Sequence, residues 1–141
     1  MTDRLLRLAL IVVSAAGIGV AGYLTYVHYQ PHALICTTGG GCETVQQSKY
    51  AVLAGIPIAI FGLAAWISAL VLTIWNSELA RTLTAALAVV VLAFAAYLVI
   101  LQLFVIDAVC VWCMANDAVL TPLFVVLALA RLWTAGARTT G

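Results

Sequence analysis

The chain alternates long apolar runs with short polar connections. Four runs carry no charged residue or only one: residues 8–29, 54–75, 82–106 and 110–130. Each run has about the 20 residues that an α-helix needs to cross the hydrocarbon core of a bilayer. Because a backbone inside lipid has to satisfy its own hydrogen bonds, these runs predict four transmembrane helices.

Composition leaves little material for a soluble domain. Of the 141 residues, 66% are hydrophobic and 8% are charged, and a water-soluble domain of this size could not bury so much apolar surface. The longest connection is the loop of residues 30–53. We therefore predict one all-α membrane domain over residues 1–141, a four-helix bundle. The net charge of +1 gives no indication of nucleic-acid binding.

The distribution of basic residues predicts the orientation of the bundle. Five of the six flank the same end of the four runs, and they are Arg4, Arg7, Arg81, Arg131 and Arg138. The sixth, Lys49, lies in the loop of residues 30–53. By the positive-inside rule, both termini are cytoplasmic and the loop faces outward. The basic start and small residues of the first run also resemble a signal peptide, but the run continues to the length of a membrane anchor.

All four cysteines are expected on the outer, oxidising side of the membrane. Cys36 and Cys42 lie in the outer loop, and Cys110 and Cys113 form a C-x-x-C motif at the start of the fourth run. Two thiols at this spacing can form a disulfide or bind a soft metal ion. The glycines at 39–41 let the loop sulfurs approach each other or separate. The two pairs together suit a relay by thiol–disulfide exchange.

Two aspartates flank the C-x-x-C motif. Asp107 can act as the N-cap of the fourth helix, which would place Cys110 in the first helical turn. Asp117 follows Cys113 by four positions, so the two side chains share a helix face inside the membrane. An ionisable group at that depth costs free energy unless it is paired, protonated or hydrated, which makes Asp117 a candidate functional residue. The alternative is a structural aspartate that is hydrogen-bonded to Asn116, to Thr121 or to a backbone group.

The combined spacing of these residues resembles the vitamin K epoxide reductase family, and its bacterial members in particular. The resemblance rests on a cysteine pair in the first outer loop and on Ser48, six residues after Cys42. It also rests on the segment 48–51 leading to residues 55–57, and on a C-x-x-C motif that opens the last helix. It covers nearly the whole chain and implies a four-helix bundle around a quinone, either menaquinone or ubiquinone.

The resemblance also implies roles for single residues. Cys110 and Cys113 would be the active-site pair, Cys36 and Cys42 the shuttle pair, and Ser48 a further functional residue. Cys113, the second cysteine of the motif, would face the quinone. Many bacterial members carry a fused thioredoxin-like domain, and the residues after 130 are too few for one, so we expect a separate thioredoxin-like partner. Vertebrate members have a tyrosine where this chain has an aspartate, four positions after the motif.

The predicted activity is that of a quinone-dependent thiol oxidoreductase that supports disulfide bond formation. A reduced thioredoxin-like protein would reduce the loop cysteines, these would reduce the C-x-x-C pair, and the quinone would take the electrons. The protein would be a multi-pass protein of the bacterial cytoplasmic membrane, with its cysteines on the extracytoplasmic face. We expect the quinone at the outer end of the bundle, among residues that helix depth places level with the motif: Tyr26, Phe61, Tyr97 and Phe104.

Two other classes of protein remain open from the residues alone. A membrane protein could bind a metal ion with four thiolates, although zinc sites favour shorter spacings than that between Cys36 and Cys42. A structural bundle could instead be stapled by two static disulfides. Metal analysis separates the first class from a thiol relay. Resistance of both cysteine pairs to a mild reductant, without any redox rate, identifies the second.

Overall fold

The computed structural model describes residues 3–30, 48–107 and 110–140. Within these ranges, four helical segments are long and apolar enough to cross a membrane. The predicted all-α fold with four membrane-spanning helices is therefore confirmed. Cys36 and Cys42 lie outside the described residues. The side of the membrane that each end of the bundle faces stays a prediction.

The spans are built from five α-helices and two π-helical segments. The helices are α1 (Asp3–Tyr29), α2 (Ile58–Trp75), α3 (Glu78–Ile100), α4 (Val111–Met114) and α5 (Thr121–Thr140). The first π segment (Leu101–Val105) continues α3, and the second π segment (Ala115–Leu120) joins α4 to α5. A 3-10 turn (Lys49–Ala51) and two short strands, β1 (Val52–Leu53) and β2 (Ile56–Pro57), precede α2.

The second span begins at Ile58 rather than at residue 54, because the preceding residues form a tight hairpin. Strands β1 and β2 pair in antiparallel register, and Ala54 and Gly55 form the turn between them. These residues have φ values of 55° and 83°, and two consecutive positive values match the type I′ turn that suits a two-residue hairpin. Pro57 then serves as the N-cap of α2, where its missing N–H leaves no hydrogen bond unmade.

The four spans form a closed bundle in which α1 and α3 each pack against both α2 and α5. One buried alanine from each of these helices lies in the shared core: Ala21, Ala69, Ala88 and Ala128. Lipid tails are as apolar as the helices, so close van der Waals packing has to drive the association of the spans. Small side chains at the contact allow the backbones to approach closely enough for that packing.

The tightest contact between α1 and α2 is made by Gly17 and Trp66. The Trp66 ring lies against the backbone of α1, and a Cβ atom added to Gly17 would lie 2.2 Å from Trp66 Cδ2. The other side of the indole meets Phe124 of α5 edge-on, with ring centroids 5.5 Å apart. Trp66 is thus buried between α1 and α5, and the missing side chain of Gly17 makes room for it.

Replacing Gly17 with alanine is expected to destabilise the bundle by about 1–3 kcal/mol, because the new methyl group overlaps the indole ring and forces the two helices apart. Gly19→Ala is the matched control, since a Cβ atom there meets nothing within 4 Å. Alanine is the better helix former, so the control should be neutral or more stable. Thermal unfolding of the purified variants in detergent measures both effects. A Gly17→Ala protein as stable as the control would contradict the packing described here.

A polar cluster closes the end of the bundle that lies away from the C-x-x-C motif. Arg131 of α5 is buried, and its Nε donates to Asp3 Oδ1 at 3.2 Å. Another nitrogen of Arg131 donates to Asn76 Oδ1, just after α2. Arg7 donates to the carbonyl oxygen of Thr73 at 3.1 Å. The cluster therefore joins the start of α1 to the end of α2 and to α5, with the buried charge paired as it has to be.

Candidate functional site

A cavity of about 290 Å³ lies between the spans, beside Cys113. Its wall is mainly apolar and takes side chains from all four spans. The polar side chains in the wall are Ser48, Tyr50, Gln102, Cys113, Asn116, Asp117 and Thr121. An apolar chamber with a few polar groups is the usual form of a site for a small organic ligand.

The C-x-x-C motif opens the fourth span, but the predicted N-cap is wrong. Asp107 has a left-handed backbone, with φ at 56°, and lies before the helix. Cys110 is the N-cap of α4 in an extended conformation, and its Sγ accepts a hydrogen bond from the backbone N–H of Cys113 at 3.4 Å. A sulfur acceptor thus takes the capping role that oxygen-bearing side chains usually have. The consequence is that the two cysteines are held together by the local backbone.

Gln102 holds the motif against the end of the third span. Its Oε1 accepts a hydrogen bond from the backbone N–H of Cys110 at 2.9 Å, and both residues are buried. Gln102 lies in the first π segment, where the wider helical turn alters which side chains face inward. Without this acceptor, a buried backbone N–H would be left unpaired, at a cost of about 1–3 kcal/mol.

The two cysteines have different surroundings. Cys110 is fully buried and packs with Leu24 of α1, while Cys113 is partly exposed and lines the cavity. Trp112, between them in sequence, places its ring 5.1 Å from the ring of Tyr23, measured between centroids. The motif therefore offers one sulfur-bearing side chain to the cavity and keeps the other behind it.

Asp117 lies in the cavity wall and is 8% exposed. Its Oδ1 accepts a hydrogen bond from Asn116 Nδ2 at 3.0 Å. The Oδ1 of the same amide accepts a hydrogen bond from Trp66 Nε1 at 2.8 Å. The second π segment contains both Asn116 and Asp117, so this part of the fourth span is not a regular α-helix. Even so, Cys113 and Asp117 reach the same cavity, as their spacing of four predicts.

Two of the remaining predicted site residues also line the cavity, and three do not. Ser48, just before the 3-10 turn, and Phe61 of α2 belong to the wall. Tyr26, Tyr97 and Phe104 are exposed side chains that are not among the cavity-lining residues. Helix depth fixes the height of a residue along the bundle, but its direction around the helix depends on the packing of the span, so depth alone could not separate the two groups.

Trp66 and Gln102 were not predicted from the sequence as site residues, and Asn116 was considered only as a hydrogen-bond partner of Asp117. Gln102 is an amide inside an otherwise apolar run, and Asn116 adjoins the intramembrane Asp117. These polar positions in the sequence indicate possible site residues, because a buried polar side chain in a membrane needs a partner. Trp66 carried no such signal, since a tryptophan in an apolar run is usually a packing residue.

Comparison with known protein families agrees with this geometry. The chain matches the model of the vitamin K epoxide reductase family over residues 8–128. The matched range contains all four cysteines, together with Ser48 and Asp117.

Proposed function

The chain belongs to the vitamin K epoxide reductase family, and from this premise we propose that it is a membrane thiol oxidoreductase that passes electrons from a thioredoxin-like protein to a membrane quinone. Membership supports a redox role for a multi-pass membrane protein. The observation that carries the finer proposal is Cys113 in the wall of an apolar cavity, with Cys110 Sγ hydrogen-bonded to the backbone N–H of Cys113.

The cavity suits the ring of a quinone. Its volume, about 290 Å³, is near the lower end of the range for small-ligand pockets, roughly 300–1,000 Å³. Aromatic side chains from three spans lie in the wall: Phe61 and Trp66, Phe94, and Phe124. The polar side chains Cys113 and Asp117 lie in the same wall. Apolar faces with a few polar groups fit a flat ring that carries carbonyl oxygens at its edge.

The chemistry assigned to the cysteines is the oxidation of a dithiol. A bound quinone supplies an acceptor for two electrons and two protons. Cys110 and Cys113 release these as their two S–H bonds break and one S–S bond forms. Asp117 Oδ2 accepts no hydrogen bond from the described residues, so this oxygen is the one assigned to take the proton of the Cys113 thiol. In this proposal the Asp117 carboxylate is the general base for the Cys113 thiol.

The pair is reduced again by exchange with the outer loop. In our proposal Cys36 and Cys42 receive electrons from a separate thioredoxin-like protein and pass them to Cys110 through a mixed disulfide. The loop faces the extracytoplasmic side of a bacterial cytoplasmic membrane, as the positions of the basic residues predict. Ser48 follows the loop cysteines in the sequence and lines the same cavity as Cys113, which supports the functional role assigned to it.

Anaerobic turnover tests the proposed function. Purified protein in detergent receives a reduced thioredoxin-like protein and a short-chain menaquinone or ubiquinone, and quinone reduction is followed by absorbance. We expect turnover that requires both substrates. Cys36→Ala should stop turnover with the protein partner, while dithiothreitol, small enough to reduce the C-x-x-C pair directly, should restore quinone reduction in this variant. Failure to reduce either quinone, with either electron donor, would overturn the proposal.

A further inference from the structure

We propose that Asn116 is a positioning residue, which holds the carboxyl group of Asp117 in the orientation that proton transfer from Cys113 requires. This inference rests on the proposed function. It concerns a residue that lines the cavity next to Asp117 and is assigned to act through the Asp117 carboxyl group. Three features of the structure carry it: the direction of the hydrogen bonds, the rigidity of Trp66 and the hold on the Asn116 backbone.

The hydrogen bonds fix which way the Asn116 amide points. The indole of Trp66 can only donate, so the atom 2.8 Å from its Nε1 has to be the oxygen of the amide. The amide nitrogen then points the other way, and it donates to Asp117 Oδ1 at 3.0 Å. A flipped amide would lose both bonds, because it would set a donor against the indole and an acceptor against a carboxylate. One orientation of Asn116 is therefore strongly favoured.

Trp66 is a rigid anchor for this amide. Its ring is buried against the backbone of α1 at Gly17 and meets Phe124 on α5. A ring enclosed between two spans cannot change rotamer without opening the bundle. The position of Trp66 Nε1 is thus set by the packing of the helices. Its hydrogen bond in turn restrains the position of the Asn116 amide.

The backbone of Asn116 is held as well. Its carbonyl oxygen accepts one hydrogen bond from the backbone N–H of Thr121 and another from Thr121 Oγ1, the latter at 2.9 Å. Thr121 is buried and begins α5. These bonds belong to the wider turn of the second π segment, which carries Asn116 and Asp117 together into the cavity wall. The side chain of Asn116 is thus held by Trp66 of α2, and its main chain is held by Thr121 of α5.

The hydrogen bond from Asn116 engages one carboxyl oxygen of Asp117 and leaves the other oxygen available for proton transfer. Oδ1 is held by the amide, and Oδ2 remains for the proton. A carboxyl that turns freely spends less time in the reactive orientation, which lowers kcat more than it changes KM, because positioning acts on the chemical step. The effect of Asn116 on kcat should therefore disappear in a variant in which residue 117 cannot accept a proton.

A double-mutant cycle tests this coupling. Asn116→Ala is expected to lower kcat for quinone reduction by about tenfold or more in the wild-type background, with KM changed less than about twofold. In the Asp117→Asn background, the same change should alter the residual kcat by less than about twofold. A purely structural role would reduce kcat by the same factor in both backgrounds, and that result would overturn the proposal.

A second variant keeps the test decisive if Asn116→Ala does not fold. Trp66→Phe keeps an aromatic ring in the packing position but removes the Nε1 donor and part of the ring volume. Its loss of kcat should therefore be larger when Asp117 is present than in the Asp117→Asn background. Trp75→Phe is the matched control at the exposed end of α2 and should leave kcat unchanged. A Trp66→Phe protein with the kcat of this control would count against the proposal.

The outcome also separates this inference from the proposed function. If the wild-type protein reduces no quinone with either electron donor, the proposed function fails and the positioning role of Asn116 fails with it. If the wild-type protein is active and Cys113→Ala is inactive, but the Asn116 and Asp117 effects multiply independently, the function stands and only the positioning role is lost.

Discussion

The Cys113→Ala protein is expected to lose quinone reduction by about 10³-fold or more, because removal of a group that takes part in bond formation leaves only background reaction. Among the described residues, Cys113 is the cysteine that lines the cavity, while Cys110 is buried behind it. The measurement is anaerobic quinone reduction with dithiothreitol as donor, which bypasses the outer loop.

Val111→Ala is the matched control for this change. Val111 lies in the same short helix, within the motif, and is not among the cavity-lining residues. Its truncation should leave turnover within about twofold of wild type, since an exposed side chain contributes little to packing. Full activity in the Cys113→Ala protein would rule out the mechanism, and equal losses in both variants would show that the assay reports on folding.

The Asp117→Asn protein is expected to combine lower activity with equal or greater stability. The amide keeps the shape of the carboxyl but cannot accept the thiol proton, so kcat should fall by about 10²–10⁴-fold, the usual contribution of a general base. An ionisable group inside a membrane span is costly, so its removal should not destabilise the bundle. Both kcat and thermal unfolding in detergent are measured on the same preparations.

Asp107→Asn provides the comparison for the loss of a negative charge. Asp107 lies before the motif in a left-handed backbone conformation, which asparagine also tolerates. We expect this variant to keep the wild-type kcat. Retention of full kcat by Asp117→Asn would remove Asp117 from the mechanism. A marked loss of stability in that variant would instead assign it the structural role that the sequence left open.

The membrane architecture could be predicted from the sequence because lipid imposes a simple rule. A chain in hydrocarbon has to satisfy its backbone internally, so long apolar runs such as residues 8–29 and 82–106 translate directly into spans. The C-x-x-C motif marked the start of the fourth span for the same reason, since Asp107 interrupts the apolar sequence between the third run and the motif. Helical periodicity predicted that Cys113 and Asp117 share a face. Both residues line the cavity, although Asp117 lies in a π segment.

The details that depend on packing could not be predicted. Whether Phe61 or Tyr97 faces inward is decided by the rotation of each span, and the chain pattern gives only their depth. Cys110 caps α4 through its Sγ, and Gln102 accepts a hydrogen bond from its backbone N–H. The π geometry that carries the Gln102 amide has no signature in the sequence. The hairpin before α2 depends on a left-handed Ala54, a conformation that alanine rarely adopts.

A series of contacts connects the packing of α1 with Asp117. The absence of a side chain at Gly17 lets Trp66 lie against α1, and Trp66 in turn orients the Asn116 amide that holds Asp117. We therefore expect a change at Gly17 to affect Asp117, the group assigned to proton transfer in our proposal. The Gly17→Ala variant should accordingly lose more activity than its fraction of unfolded protein explains. Thermal unfolding measures that fraction, so its contribution to the loss can be subtracted.

In the proposed mechanism, electrons from the cysteine thiols go directly to the quinone. The most direct test is a single turnover without any protein partner: the protein is fully reduced, freed of reductant and mixed anaerobically with quinone. Free thiols and quinol are then counted in the same sample. We predict one quinol formed for every two thiols lost in the wild-type protein, and no quinol in Cys113→Ala. Thiols that disappear without a matching amount of quinol, or quinol formed without loss of thiols, would contradict the account.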